Sequence, residues 1–350
     1  MQEQQYPRSK EGSEQAAQIF GSVLRSVEIF LEANGIRLED LARWAGVTLP
    51  PRRYLYSRFI ALQDFAHLIE LASKRLDEPL LGLKCTEAVE PRPIHPLMLA
   101  IGYAPDLRTS LDVVATHHRS LIDLAHCEIR SSGRATELVW KLSGMVVLQD
   151  QVIDRIAAVV RSRLQAQVGA EAARKIEVRL SRSRPADPRL HRQIFGPTVE
   201  FEAEANSFIL PSEILALPNP RHDEALFAAL LELSQRRLAD RGCPGGIAAL
   251  VREEIATRIS DADLSLETVA RALGMSGRAL QRRLSENGVT FQELYDTIRR
   301  DMASELLENT NLAISEIAFR LGFSAVGNFT RAAKRWFGDT PSVWRQTKRS

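Results

Sequence analysis

Leu266-Glu267-Thr268-Val269-Ala270-Arg271-Ala272-Leu273-Gly274-Met275-Ser276 and Ile314-Ser315-Glu316-Ile317-Ala318-Phe319-Arg320-Leu321-Gly322-Phe323-Ser324 are two copies of one pattern, set 48 residues apart. Ala270 matches Ala318, Leu273 matches Leu321, Gly274 matches Gly322 and Ser276 matches Ser324. An internal repeat of this kind marks a duplicated structural unit. Each copy reads as a short helix, a glycine where the chain reverses through positive φ, and a serine placed to cap the next helix.

The helices that follow carry the chemistry. After the first copy, Leu280 and Leu284 point inward and leave Arg278, Gln281, Arg282 and Arg283 outside. Arg pairs bidentately with guanine and Gln with adenine, so Arg278, Gln281 and Arg282 are expected to read bases and Arg283 to meet phosphate. After the second copy the register shifts by one, setting Leu280 against Phe329 and Arg282 against Arg331. Asn328 and Arg331 are expected at base edges, with Thr330, Lys334 and Arg335 on the DNA backbone. Phe291, Leu294, Tyr295, Ile298, Met302 and Leu306 predict a helix over Phe291–Asn309 joining the two units. Adjacent major-groove faces recur about every 34 Å, so one subunit could read two of them.

Charge agrees with that placement. The net charge of the chain is only +2. From Ala325 to Ser350, however, Arg331, Lys334, Arg335, Arg345, Lys348 and Arg349 face a single acid, Asp339. Basic charge gathers where a phosphate backbone would be met.

The segment Ser265–Arg345 closely resembles the AraC/XylS family of transcription regulators. Ile317-Ala318, Leu321-Gly322-Phe323, Phe329-Thr330-Arg331 and Gly338-Asp339-Thr340-Pro341-Ser342-Val343-Trp344-Arg345 carry the likeness. Ala333 departs from it, standing where the family usually has a large aromatic. The rest of the chain resembles, less specifically, the arabinose-binding type of effector domain, through Asn34-Gly35-Ile36, the Leu107–Leu121 helix, Ile194-Phe195-Gly196-Pro197, Val199-Glu200-Phe201 and Asn206. The resemblance implies a sensing and dimerising N-terminal domain without naming a ligand.

At 350 residues, 45% hydrophobic and 26% charged, the chain suits two globular domains. Residues 1–15 are Gln/Glu-rich and read as a disordered lead-in. Residues 16–242 read as an α+β effector-sensing and dimerisation domain. Helices are expected at Ile19 to Phe30, Leu38–Gly46, Ala61–Leu76, Leu111–Leu121, Val146–Val168 and Asp223–Arg241. A hairpin is expected around Ser132-Gly133, with strands at Lys175–Leu180, Thr198–Phe201 and Ser207–Leu210. Gly242-Cys243-Pro244-Gly245-Gly246 is a run of breakers, placing a linker at 243–248 and an all-α DNA-binding domain with two helix-turn-helix motifs at 249–350. Leu38–Gly46 mimics a third such motif, but Leu49-Pro50-Pro51 interrupts the helix that would follow.

Other chemistries find little support. Cys85, Cys127 and Cys243 form no C-x-x-C pair, and His117, His118, His126 and Cys127 match no familiar metal spacing, so neither metal nor cofactor is expected. No G-x-S-x-G, P-loop or H-E-x-x-H is present, so no catalytic residue is assigned. A repair enzyme fused to a similar DNA reader would need a four-cysteine cluster that this sequence lacks. Arg119, Arg155, Arg161 and Arg163 are imaginable anion partners, and the effector residues stay unassigned. With no signal peptide and no long apolar run, a cytoplasmic location is expected. The reading is a sequence-specific, ligand-responsive activator of a metabolic or catabolic operon, partnered by promoter DNA, RNA polymerase, a small-molecule effector and a second copy of itself. The alternative is a constitutive repressor or architectural factor whose N-terminal domain only dimerises.

Overall fold

The computed structural model describes residues 17–87, 95–240, 246–261 and 263–349. Residues 17–142 with 148–240 pack as one unit, and 143–147 with 246–349 as another. The expected lead-in at 1–15 lies outside the described residues.

The N-terminal unit runs β1 (Gln18–Phe20), α1 (Leu24–Ala33), α2 (Leu38–Trp44), β2 (Phe59–Ala61), α3 (Leu62–Arg75), α4 (Leu81–Glu87), α5 (Pro96–Tyr103) and α6 (Leu107–His117). It continues through β3 (Leu124–Ser132), β4 (Ala135–Leu142), α7 (Asp150–Ala173), β5 (Glu177–Arg179), α8 (Arg189–Phe195), β6 (Asn206–Pro211), α9 (Ser212–Leu215) and α10 (Glu224–Asp240). One sheet is antiparallel in the order β3-β4-β6-β5, and β1 pairs with β2 apart from it. The expected hairpin forms because Gly133, at φ 55°, turns the chain between β3 and β4. Leu138, Val139, Trp140 and Leu142 of β4 are buried, as are Val152, Ile153, Ala157 and Leu164 of α7.

Two expectations fail here. Ile19 belongs to a strand rather than to the first helix: it pairs with Ile60, a contact 41 residues away that local periodicity cannot register. Thr198–Phe201 makes no named strand and only a bridge from Glu200 to Arg179, because Glu202 turns the chain away at φ 60°. Helices α4, α5 and α8 were not anticipated. The stretch that mimicked a third DNA-reading motif is α2, which runs into Gly46 at φ 64° and then the two prolines.

The C-terminal unit is helical: α11 (Gly246–Thr257), α12 (Leu266–Ala272), α13 (Gly277–Glu286), α14 (Phe291–Asn309), α15 (Ile314–Arg320), α16 (Val326–Phe337) and α17 (Pro341–Arg349). Of the expected linker, residues 246–248 are already helical, and 243–245 lie outside the described residues. One apolar core unites the unit. Val251 and Ile255 of α11, Val269 and Ala270 of α12, Leu280 and Leu284 of α13, Ile298 of α14, Ile317 of α15 and Phe329 of α16 all belong to it.

Candidate nucleic-acid interface

The first helix-turn-helix is α12 and α13. Ser265 caps α12 in a reciprocal box with Thr268, which satisfies two backbone donors at once. Gly274 reverses the chain at φ 69°, and the Ser276 hydroxyl accepts from the Ala279 amide, 3.3 Å away, to start α13. Burial of Leu280 and Leu284 then fixes the rotation of the helix. Arg278, Gln281, Arg282 and Arg283 are all exposed, as their positions between the leucines require. Arg282 is 3.7 Å from Glu286, an exposed pair that water and salt screen and that a DNA phosphate or base would replace.

The second unit is α15 and α16, and it differs at the cap. Ser324 does not cap α16: Ala325 is the N-cap, and no side chain accepts there. The cause is one extra residue after the turn. Gly322 still matches Gly274 with an offset of 48, but Phe329 and Ala333 match Leu280 and Leu284 with an offset of 49, and all four are buried. The residue equivalent to Ser276 is therefore Ala325. Ser324 instead accepts from the Asn328 side chain at 3.4 Å.

Tertiary contacts hold the second turn where capping does not. Arg299 of α14 donates from Nε to the Leu321 carbonyl at 2.8 Å and from Nη2 to the Gly322 carbonyl at 2.7 Å. Its guanidinium also lies over the rings of Tyr295 and Phe323, at 4.0 and 4.3 Å from their centres. Burial pulls the Arg299 pKa down from its usual value, yet an arginine so placed stays charged. Gly322 sits so close to the carbonyl oxygen of Ile259 that a Cβ there would come within 2.1 Å. At the far end, Gly338 stops α16 in the left-handed conformation, and Phe337 stacks on Trp344 of α17 at 4.5 Å. Arg345 donates to the Leu312 carbonyl at 2.7 Å, tying α17 to the start of α15.

On the outer face of α16, Asn328, Arg331, Lys334 and Arg335 are exposed. Arg331 donates to the Asn328 side-chain oxygen, so the two expected base readers are mutually oriented. Thr330 is half-buried, its hydroxyl donating to the Val326 carbonyl at 3.0 Å. Arg335 pairs with Asp296 of α14, which also accepts from Trp336 Nε1 at 3.0 Å. Lys334 has no ion pair among the described residues. Sequence reasoning missed Arg299 and Asp296, because both act across the fold from α14. The spacing of charged residues on an otherwise amphipathic linker helix was their only trace.

Two successive helix-turn-helix units on one core, each turning a basic helix outward, define a DNA-binding protein. Residues 269–347 match a helix-turn-helix domain, and residues 35–219 match the arabinose-binding domain of AraC transcription regulators. The chain belongs to the AraC family of transcription regulators. It is 27% identical to the ornithine utilization regulator of Pseudomonas aeruginosa, over 82% of this chain and 84% of that one. It is 25% identical to the regulator VirS of Mycobacterium tuberculosis, again over 82% and 84% of the two chains. The solved transcriptional regulator CdpR of Pseudomonas aeruginosa aligns with 88% of this chain and 96% of its own, at 24% identity and a TM-score of 0.38.

Proposed function

We propose that this regulator is a ligand-responsive activator of a metabolic operon whose two recognition helices, α13 and α16, enter successive major grooves. The observation that carries the reading is α14, a single uninterrupted helix joining the two units. Its 19 residues span about 28 Å, comparable with the roughly 34 Å between successive groove faces. Arg278, Gln281, Arg282, Asn328 and Arg331 read bases in this arrangement, while Arg283, Thr330, Lys334 and Arg335 meet phosphates.

Responsiveness is supported by an apolar cavity of about 230 Å³ inside the N-terminal unit, between α1, α5, α6, α7 and the sheet. A constitutive repressor or architectural factor has no use for such a space. A catabolic target is in keeping with the relative named for ornithine utilization. The functional unit is a homodimer that recruits RNA polymerase. Leu226 and Leu233, both exposed and seven residues apart on α10, offer an apolar face for self-association.

Footprinting on tandem half-sites tests the groove reading. Moving the half-sites apart by half a helical turn should abolish protection of one of them, and a full turn should not restore it within one chain. Equal protection at every spacing would refute it. Transcription from the protected promoter should rise with effector and stay flat without it.

A further inference from the structure

The same cavity carries chemical information about its occupant, and the inference here rests on the ligand-responsive reading above. Its wall is overwhelmingly apolar, with Leu97, Val159 and Val160 among its lining residues. No Asp or Glu is among its described lining residues. The two cysteines on the wall supply no anion either, since burial pushes the thiols of Cys85 and Cys127 up to about 12.

Into this setting α7 brings Arg155. The residue is 9% exposed, and its hydrogen bond is to the Val23 carbonyl at 2.7 Å. It has no carboxylate partner among the described residues. A guanidinium out of water without a counter-charge is costly, and one neutral acceptor leaves most of its N–H groups unused. The other two arginines on the wall are not in this position: Arg25 of α1 pairs with Glu28 at 3.0 Å, and Arg163, further along α7, has an interaction of its own. Three more donors on the wall lack partners: the indole N–H of Trp140, a residue 3% exposed on β4, the hydroxyl of Ser26 on α1, and the Nε2–H of His95, whose Nδ1 accepts from the Leu97 amide. Three elements that pack around one apolar space thus each carry an unpaired or under-used donor, and one of the donors is cationic.

We propose that the cavity binds a small monocarboxylate with an apolar body, its carboxylate held by Arg155 and assisted by the Trp140 indole N–H and the Ser26 hydroxyl. The size follows from the volume. A dry apolar cavity of about 150 Å³ holds benzene, so 230 Å³ takes about nine non-hydrogen atoms. A medium-chain fatty acid or an arylacetic acid has that size. A sugar would leave most of its hydroxyls without partners against this wall, and a diamine would place a cation beside Arg155.

The test uses the full-length protein with octanoate and phenylacetate as probes, octanamide and phenylacetamide as their neutral counterparts, and ornithine and arabinose as outsiders. Binding is read by titration calorimetry and by thermal shift. The acids should bind about 10- to 100-fold tighter than the amides, the range expected for a charge-assisted pair. Arg155→Met should bring acid and amide level. Trp140→Phe, which keeps the ring and removes the N–H, should weaken the acids about fivefold, and it stands in if Arg155→Met does not fold. Equal binding of acid and amide by the wild-type protein, binding of ornithine or arabinose in preference to the acids, failure of every probe to bind, or variants that bind the acids unchanged would each overturn the assignment. Occupancy of promoter DNA, measured in parallel, separates the two readings. Acids that bind without altering DNA occupancy or transcription uphold the cavity's chemistry and refute the sensing role. Ornithine or arabinose that binds and alters transcription does the reverse.

Discussion

Replacing Gly322 by alanine isolates how the second helix-turn-helix is held, because Gly274→Ala provides an internal control. Both glycines adopt nearly the same left-handed backbone, at φ 70° and 69°. Alanine therefore costs each about 1 kcal/mol in strain, less a few tenths regained from a stiffer unfolded chain. The surroundings differ. A Cβ at Gly274 meets nothing within 4 Å, whereas at Gly322 it falls 2.1 Å from the backbone oxygen of Ile259, and Arg299 Nη2 lies 3.2 Å from it on another side. Backbone cannot swing away as a side-chain tip can, so the turn must move. That overpacking adds about 1–3 kcal/mol and strains the Arg299 hydrogen bonds to the Leu321 and Gly322 carbonyls. Native-state hydrogen exchange on the intact chain reads the difference locally. Amides of α12 and α13 should exchange about fivefold faster in Gly274→Ala, and those of α15 and α16 a further 30-fold faster than that in Gly322→Ala. Equal losses of protection would mean that only backbone strain matters and that the packing of the turn on Ile259 carries no weight.

Removing the clamp itself, by Arg299→Met, should cost the second unit about 1.5–3 kcal/mol and weaken protection of its half-site in a footprint while leaving the first half-site unchanged. Arg282→Ala and Arg331→Ala should each cost about 1–3 kcal/mol in binding and relax preference at one base pair, read by binding to a library of single-base variants; a uniform loss would mark them as phosphate contacts. Lys334→Ala should lower affinity for all sequences and reduce the salt slope by about one, and Arg335→Ala should do less because Asp296 already competes for that side chain. Burial lowers the His95 pKa from 6.5 to about 4, so the folded N-terminal unit keeps this ring neutral while the unfolded chain protonates it. Stability should fall as pH drops from about 6.5 towards 4, by up to about 3 kcal/mol, and His95→Asn, which can still accept from the Leu97 amide, should flatten that slope in urea titrations.

What could be read from sequence was what is encoded within a few residues. The glycine turns, the Ser276 cap and the leucine spacing of α13 are local, and each appears where the residues indicated. The β3–β4 hairpin was legible for the same reason, since Gly133 and the alternation on either side specify it together. Long-range pairing was not: Ile19 looks helical until Ile60 is known to lie beside it. The cap on α16 was misplaced because Ser324 copies Ser276 in appearance, while the inserted residue shows only when buried Phe329 and Ala333 set the register. In the N-terminal unit, Arg155 could be noticed but not singled out among four arginines. Its meaning comes from the apolar cavity around it and from the absence of a carboxylate partner among the described residues, and sequence spacing reports neither.

Ala333, which stands where the family usually has a large aromatic, takes on a particular role once the register of α16 is known. Phe329 stands opposite Leu280, and Ala333 opposite Leu284, so one copy places two medium side chains where the other places a large and a small one. Residues four apart on a helix are neighbours on one face, and both pairs are buried in the common core. Volume is thus redistributed along α16 rather than lost, and such exchanges are the ones cores tolerate best. The redistribution shifts bulk towards the start of α16, beside Phe323, whose ring lies 5.5 Å from that of Phe329 and under the Arg299 guanidinium. The second recognition helix, lacking a side-chain cap, is therefore oriented by an aromatic cluster that belongs equally to the linker helix. The first is oriented by its own serine and leucines. A movement of α14 therefore reaches α16 through the Arg299 hydrogen bonds and this aromatic cluster, in addition to the apolar core that both recognition helices share with it.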